Sequence, residues 1–197
     1  MDYLITAWVE AWQLILRADR QILEIAWVSL RLAFWSALVA SCLAIPMGIS
    51  VGQQDFKYKK LVLAVLQTLL ALPTVVIGLL VYTLISRRGP AGHFGLLFSP
   101  MGVVIGQAIL AFPIICTMVV NVFISLDKRA FQTAVHLGAN RRQTMLILLR
   151  ETRLGILAAV LTGFGRVFGE VGIAMMLGGE YQGLYQDSNH RYCPGDQ

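Results

Sequence analysis

Long apolar runs separated by short polar segments dominate the chain. Four runs predict membrane-length helices, at about residues 25–52, 61–86, 101–126 and 154–176. Each is near the roughly 20 residues that a helix needs to cross about 30 Å of hydrocarbon. The longest polar segment, residues 127–153, lies between the third and fourth runs. This pattern predicts an all-α, polytopic helical membrane protein.

Composition and charge support the same class. The 197 residues are 57% hydrophobic and 14% charged, with a mean hydropathy of +0.68, which is too apolar for a soluble domain of this size. A net charge of +5 is compatible with a nucleic-acid partner in principle. However, the basic residues lie in short segments next to the apolar runs, as is typical of membrane proteins. We therefore expect the chain to contact membrane lipid and not to bind nucleic acid.

Two minor features add little chemistry. The first 20 residues form a short apolar patch closed by charges, which favours the membrane surface and is too short to span it. They also lack the pattern of a secretory signal. Cys42 and Cys116 lie inside apolar runs and Cys193 lies alone near the end, so the sequence predicts neither a disulfide nor a metal site.

Glycines are spaced for close helix contact. Gly48 and Gly52 are four residues apart in the first run, and the third run repeats this spacing at Gly102 and Gly106. The fourth run carries five glycines, so we expect a face of almost bare backbone on which other helices pack.

Pro73 interrupts the second run. Because proline lacks an amide donor, it is predicted to break the helix and free backbone carbonyls. At membrane depth such breaks are tolerated where protein or a water-filled cavity satisfies the backbone. Residues 72–76, with Pro73 and Thr74 among them, are therefore a candidate wall of a transport pathway. A structural kink against a neighbouring helix is the alternative.

Two charges lie inside the fourth run. Arg166 and Glu170 are four residues apart and hence share one helix face. Each costs about 2.5 to 3.5 kcal/mol at membrane depth, so both must face protein or water. One interpretation is an ion pair inside the helix bundle. The other is that Arg166 lends positive potential to an anion path while Glu170 holds its geometry.

The polar segment predicts a helix, a sharp turn and a second helix. Asp127 can cap a short amphipathic helix that begins its apolar face at Phe131 and stops at Gly138. Asn140, with Gln143 three residues later, predicts a new cap for the second helix.

Four motifs together resemble the permease subunits of binding-protein-dependent ABC importers, most closely those of tungstate importers. The first follows the family's Glu-Ala-Ala and Gly loop at Ala134, Leu137, Gly138 and Ala139, although Gln132-Thr133 replaces Glu-Ala and Arg150-Glu151 replaces the expected Leu-Pro. The others are Ser29-Leu30 at the opening of the first run, and two motifs within the second and fourth runs: Leu72-Pro73-Thr74-Val75-Val76-Gly78 and Gly165-Arg166-Val167-Phe168-Gly169-Glu170-Val171-Gly172.

The resemblance implies a type I ABC permease fold and a coupling helix that enters a cleft on a separate ABC ATPase subunit. It implies that the coupling residues are Phe131, Gln132, Thr133, Ala134, Leu137, Gly138 and Ala139. It further implies a homodimer of permeases and an extracytoplasmic protein that delivers the oxyanion. The ATPase would use the ATP, because this chain has no phosphate-binding GxxxxGK[ST] motif and is expected to bind no cofactor.

Other functions stay open at this point. Within the class, the alternatives are permeases for molybdate, sulfate, phosphate or an organic solute. A self-contained channel or structural membrane subunit is an alternative of another class. An enzyme is disfavoured, because no His, Asp or Ser constellation suited to acid-base or nucleophilic chemistry lies within a run.

The basic residues also predict an orientation. Segments 53–60 and 127–153 carry nine Lys and Arg, and the segments on the opposite side carry five. The positive-inside rule therefore predicts a cytoplasmic coupling loop and an external N-terminus. The resemblance implies a multi-pass protein of a bacterial or archaeal plasma (inner) membrane.

The last residues differ in character from the rest. Residues 1–182 are interpreted as the transmembrane domain, whereas 183–197 are abruptly polar where the family is expected to have a further helix. A one-base shift in permitted codons yields a peptide that resembles the family's continuation. The hypothesis is that a frameshift truncated the chain before its last helix, and the nucleotide sequence across codons 178–197 decides it.

Overall fold

The computed structural model describes residues 20–54, 56–126 and 140–178. All secondary structure assigned within these ranges is helical, as predicted. The predicted surface segment up to residue 19, the coupling residues 131–139 and the tail 183–197 lie outside the described residues. The helices are α1 (Arg20–Gln53), α2 (Lys59–Ala71), α3 (Thr74–Ile85), α4 (Pro100–Ile124), α5 (Arg141–Phe168) and α6 (Val171–Gly178), with a 3-10 turn at Gly92–Phe94.

Two of the described helices are long and apolar enough to cross a membrane. They contain the candidate spans Ala26–Gln53 and Pro100–Ile124, of 28 and 25 residues. Helices α2 and α3 count as a third candidate when they are taken together, although they are bent by 99°. The break predicted at Pro73 is thus confirmed.

The helix predicted at 154–176 is wrong at both ends. Helix α5 begins at Arg141, so the second helix predicted to open at Asn140 is continuous with the fourth apolar run and forms the first part of one long helix. The same helix ends at Phe168, and α6 begins only at Val171. Glycine has low helix propensity, and Gly169 lies at this interruption.

Helix α4 lies at the centre and contacts each of the other five helices. Helix α1 runs parallel to it, since Ser36 bonds to Gln107 and Gly48 faces Val119 with the same forward offset along both helices. A Cβ built on Gly48 would lie 2.8 Å from Cβ of Val119. The predicted close contact at Gly48 is therefore present, and it needs a residue without a side chain.

Helix α5 packs against α4 in the opposite direction. Gly155 of α5 faces Val122, and Gly163 faces Ile115, so the residue number falls along α4 as it rises along α5. This face of α5 supplies the bare backbone predicted for the fourth run. It lets α5 approach the centre of the fold.

Two apolar clusters share α4. The larger cluster joins α1, α2, α4 and α5, and includes Ala44, Leu66, Ile115, Val119 and Ala159. The smaller cluster joins α3, α4 and α6, and includes Ile77, Val81, Leu110, Ile173 and Leu177. The chain segments after both helix breaks, α3 and α6, thus belong to one cluster.

The glycine contact between α4 and α5 generates a stability prediction. A Cβ at Gly163 would lie 2.5 Å from Cγ1 of the fully buried Ile115, whereas a Cβ at Gly165 meets nothing within 4 Å. Gly163→Ala should destabilise the fold by about 1 to 3 kcal/mol through overpacking. Thermal unfolding of the detergent-solubilised chain measures this effect.

Gly165→Ala is the matched control in the same helix. Both substitutions raise helix propensity by about 1 kcal/mol, so their difference isolates the steric clash. Equal melting temperatures for the two variants would show that α5 does not approach α4 as described.

Candidate functional site

The first part of the candidate site is the break between α2 and α3. Leu72 and Pro73 both have extended backbones, with ψ of 133° and 135°, so the chain leaves one helix and starts the next at an angle of 99°. The carbonyl of Pro73 accepts from the amides of Val76 and Ile77, at 2.9 and 3.3 Å, and so starts α3. Thr74 is the first residue of α3.

A helix end leaves backbone groups without intrahelical partners. The last carbonyls of α2 and the first amides of α3 are such groups, and they occur here within an apolar stretch. At membrane depth they require protein or water as partner. Pro73 and Thr74 therefore remain candidates for a polar pathway, as the sequence suggested.

One face of α3 is covered and the other is open. Ile77 and Val81 are buried against α4 and α6, whereas Val75 and Leu79 are 55% and 58% exposed. The open face is apolar, so it suits lipid or another apolar protein surface rather than water.

The second part of the candidate site is an ion pair across the break between α5 and α6. Nη1 of Arg166 donates to Oε2 of Glu170 at 2.9 Å. The side chain of Glu170 is only 8% exposed, whereas that of Arg166 is 45% exposed. The carboxylate is thus enclosed by protein, and the guanidinium remains accessible on the other side.

The position of Glu170 at the start of α6 also stabilises its negative charge. The residue directly precedes α6, whose N-terminus carries partial positive charge. Its Oε1 lies 3.2 Å from the point that a Cβ of Gly172 would occupy, so a side chain there would crowd the carboxylate. Glu170 is therefore held between the guanidinium of Arg166 and the start of α6.

The two breaks lie at the same end of a helix pair. Gly78, in the middle of α3, faces Ile173 and Met176 of α6. The amide of Phe98, in the loop after α3, donates to the carbonyl of Leu177 near the end of α6. Helices α3 and α6 therefore run side by side in the same direction, and both begin at their breaks.

The contacts with α4 give the depth of these breaks. Gly163, before the ion pair, faces Ala111 and Ile115, and Ile173, after it, faces Gly106. Arg166 and Glu170 consequently lie level with the middle of the 25-residue helix α4. An ion pair at this depth fits the expectation that such charges face protein or a water-filled path.

The predicted cap at Asn140 is confirmed. Its amide donates to Oε1 of Gln143 at 2.8 Å, which is one half of a capping box. Helix α5 starts there and continues without interruption to Phe168. One helix therefore runs from the end of the predicted coupling segment to the candidate ion pair.

Ser36 is a partner of the buried Gln107 side chain, which the sequence pattern did not predict. Oγ of Ser36 lies 2.7 Å from the carbonyl oxygen of Leu32 and 2.9 Å from Oε1 of Gln107, and both side chains are buried. A buried amide in an apolar run requires a partner, so Gln107 itself was the signal. Which residue would supply the partner depends on the parallel register of α1 and α4.

Comparisons with known proteins give a consistent result. Residues 44–187 match the family model described as the binding-protein-dependent transport system inner membrane component. The tungstate uptake system permease protein TupB of Peptoclostridium acidaminophilum is 31% identical over 93% of this chain and 80% of its own length. TupB of Campylobacter jejuni is 32% identical over 91% of this chain and 75% of its own length.

Other relatives are named as transporters of other substrates. A probable anion ABC transporter permease protein of Haloferax volcanii is 34% identical over 85% of this chain and 71% of its own length. Molybdenum and sulfate transport permeases also match, over smaller shares of the chain.

The unequal exposure of the ion pair predicts unequal effects of its removal. Arg166→Met leaves an enclosed carboxylate without its partner, whereas Glu170→Met leaves a guanidinium that is half exposed. Arg166→Met should therefore destabilise the protein by about 1 to 3 kcal/mol, less than for a fully buried pair. Glu170→Met should cost less, and membrane abundance together with thermal unfolding measures both.

The double variant Arg166→Met/Glu170→Met is the control, because it removes both charges together. It should recover most of the stability lost in Arg166→Met. Additive losses in the double variant would show that the two residues do not act as a pair.

Proposed function

This chain belongs to the family of binding-protein-dependent transport system inner membrane components, and on that premise we propose that it is the permease subunit of a tungstate importer. Two of the relatives described above are named as tungstate uptake permeases, and others are named for molybdenum, sulfate or an unspecified anion. Tungstate and sulfate are oxyanions, so the proposed cargo is an oxyanion, with tungstate the first candidate.

The observation that carries the mechanism is the length of α5. It begins at Arg141, directly after the proposed coupling residues 131–139, and reaches Phe168 without a break. Its 28 residues correspond to about 42 Å at 1.5 Å per residue. A continuous helix of this kind transmits a displacement at one end to Arg166 and the α5–α6 break at the other.

The proposed role of Arg166 follows from its exposure. Glu170 occupies one side of the guanidinium, while the 45% exposed remainder offers donors to an anion. In this arrangement Glu170 positions Arg166 and partly neutralises it, so that an oxyanion is attracted but not retained. Pro73 and Thr74, at the same end of the α3–α6 pair, would contribute backbone groups to the path.

The remaining partners follow from the family. We infer that a separate ABC ATPase binds residues 131–139 and uses the ATP, and that an extracytoplasmic protein delivers the oxyanion. Two copies of this chain would enclose the path, with the open apolar faces of α1 and α3 against lipid or the second copy. The charge bias favours a cytoplasmic coupling segment and an external N-terminus in a bacterial or archaeal plasma (inner) membrane.

The coupling proposal is tested at Gly138, the small residue that ends the proposed coupling helix. Gly138→Glu adds bulk and charge where the segment would enter the ATPase cleft, and should abolish uptake while leaving membrane abundance unchanged. Gly138→Ala is the control and should transport nearly as well as the unchanged chain. Cellular tungsten, measured by elemental mass spectrometry in cells lacking their own copy, reports uptake.

The same cells test the substrate. With isotopically enriched tungstate as the tracer, excess molybdate or sulfate should reduce tracer uptake less than excess natural-abundance tungstate does. Preferential inhibition by sulfate would assign the importer to another oxyanion.

The coupling role of Gly138 would be contradicted if Gly138→Glu showed wild-type uptake while it still copurified with the ATPase.

A further inference from the structure

A cavity of about 530 Å³ lies at the far end of α3 from the Pro73 break. The loop between α3 and α4 forms most of its wall, and its lining includes Tyr82, Ser86, Arg87, Arg88 and Phe98. Helix α3 has 12 residues, so this cavity is about 18 Å from the break. It is thus separate from the site at Arg166 and Glu170.

The loop is held in a defined conformation by backbone hydrogen bonds. The amide of Ala91 donates to the carbonyl of Leu84 at 3.0 Å, and the amide of Phe98 donates to Leu177 of α6 at 3.0 Å. A Cβ at Gly89 would overlap backbone oxygens of Thr83 and Leu84, so the turn passes too close to α3 for any side chain. The cavity wall is therefore a packed turn.

Phe98 has an unusual backbone for its residue type. Its φ is +61°, a region that non-glycine residues rarely occupy. Such conformations persist where the surroundings fix them, and here the bond to Leu177 and the start of α4 do so. The strained residue lines the same cavity as the two arginines.

The two arginines of the cavity have no acidic residue near them in the sequence. Arg87 and Arg88 are both exposed, and residues 56–126 contain no Asp or Glu. Guanidinium groups in pairs are suited to phosphate-like groups, because they offer several donors in a fixed planar geometry. The arginines therefore present positive charge without an acidic residue in their own part of the chain.

The helix ends around the cavity favour the same charge. Helix α4 begins at Pro100 and directs its partly positive N-terminus toward this loop. The C-terminus of α3 has the opposite sign, but two of its terminal carbonyls accept hydrogen bonds from loop amides, since the amide of Gly89 donates to the carbonyl of Ser86 and that of Ala91 to the carbonyl of Leu84. Arg87 and Arg88 are the charged residues in the cavity lining.

We propose that this cavity binds a tetrahedral oxyanion group through Arg87 and Arg88. Its volume exceeds that of one such group, so there is room for several waters or for the glycerol part of a lipid. A phospholipid headgroup and a free oxyanion share this chemistry. The site does not depend on the transport function proposed above, because it is defined by this loop alone.

Binding is tested with the purified full chain in nanodiscs of phosphatidylcholine, with or without phosphatidylglycerol. Native mass spectrometry counts retained phosphatidylglycerol, and equilibrium dialysis measures bound tungstate and inorganic phosphate in the neutral discs. Arg87→Gln/Arg88→Gln should weaken binding of the preferred probe by about tenfold or more. Retention of phosphatidylglycerol identifies a lipid site, and dialysis binding identifies a site for free oxyanions.

Arg150→Gln/Arg153→Gln is the matched control, because it removes two exposed arginines from α5 and should leave binding unchanged. Binding to the unchanged chain should also weaken as sodium chloride is raised. The proposal is overturned if the unchanged chain binds neither probe, if Arg87→Gln/Arg88→Gln binds as well as the unchanged chain, or if binding is independent of salt. Each readout is independent of ATP and uptake, so failure here leaves the importer proposal intact.

Discussion

Close helix approach to α4 is the constraint on which the rest of the structure depends. Gly48 brings in α1, Gly163 brings in α5, and Gly106 on α4 itself admits Ile173 and Leu177 of α6. These contacts act through van der Waals packing, which is the main attraction available between helices in lipid. Because α4 belongs to both apolar clusters, it also fixes α3 and α6 relative to the longer helices.

The packing around α4 also determines where the two helix breaks lie. Each break separates a longer helix from a shorter one, and both shorter helices pack together on the first half of α4. Motion of α5 would therefore reach the α3–α6 pair through the Gly169–Glu170 break. The ion pair spans that break, so it joins the long helix to the helix that packs in the smaller cluster.

The sequence predicted those features that depend on local chemistry. The break at Pro73 follows from a missing amide, the cap at Asn140 from Gln143 three residues later, and the contact of Arg166 with Glu170 from their spacing.

The interruption after Phe168 was missed because a run of apolar residues and glycines resembles one helix until the packing of α6 against α3 is known. The first half of α5 was predicted as a separate helix, and its continuity with the fourth apolar run was missed because charged residues separate the two in the sequence. Ser36 and the Arg87–Arg88 cavity depend on helix register and on a folded turn, which single-sequence patterns do not specify. The roles of residues 131–139 remain predictions, because these residues lie outside those that the structure describes.

The central claim, that the break at Pro73 borders a water-filled path near the middle of the membrane, is tested most directly by thiol accessibility at Thr74. Cys42, Cys116 and Cys193 are first replaced by alanine, and a single cysteine is then placed at Thr74 or, as a control, at Ile109. Ile109 is 45% exposed on α4 and lies within about two turns of the same depth, since Val81 of α3 is level with Gly106. Maleimides react with the thiolate, which forms in water and not in hydrocarbon. In the assembled transporter, a water-soluble maleimide should label Thr74→Cys and leave Ile109→Cys unlabelled. Equal protection of both positions would contradict the account.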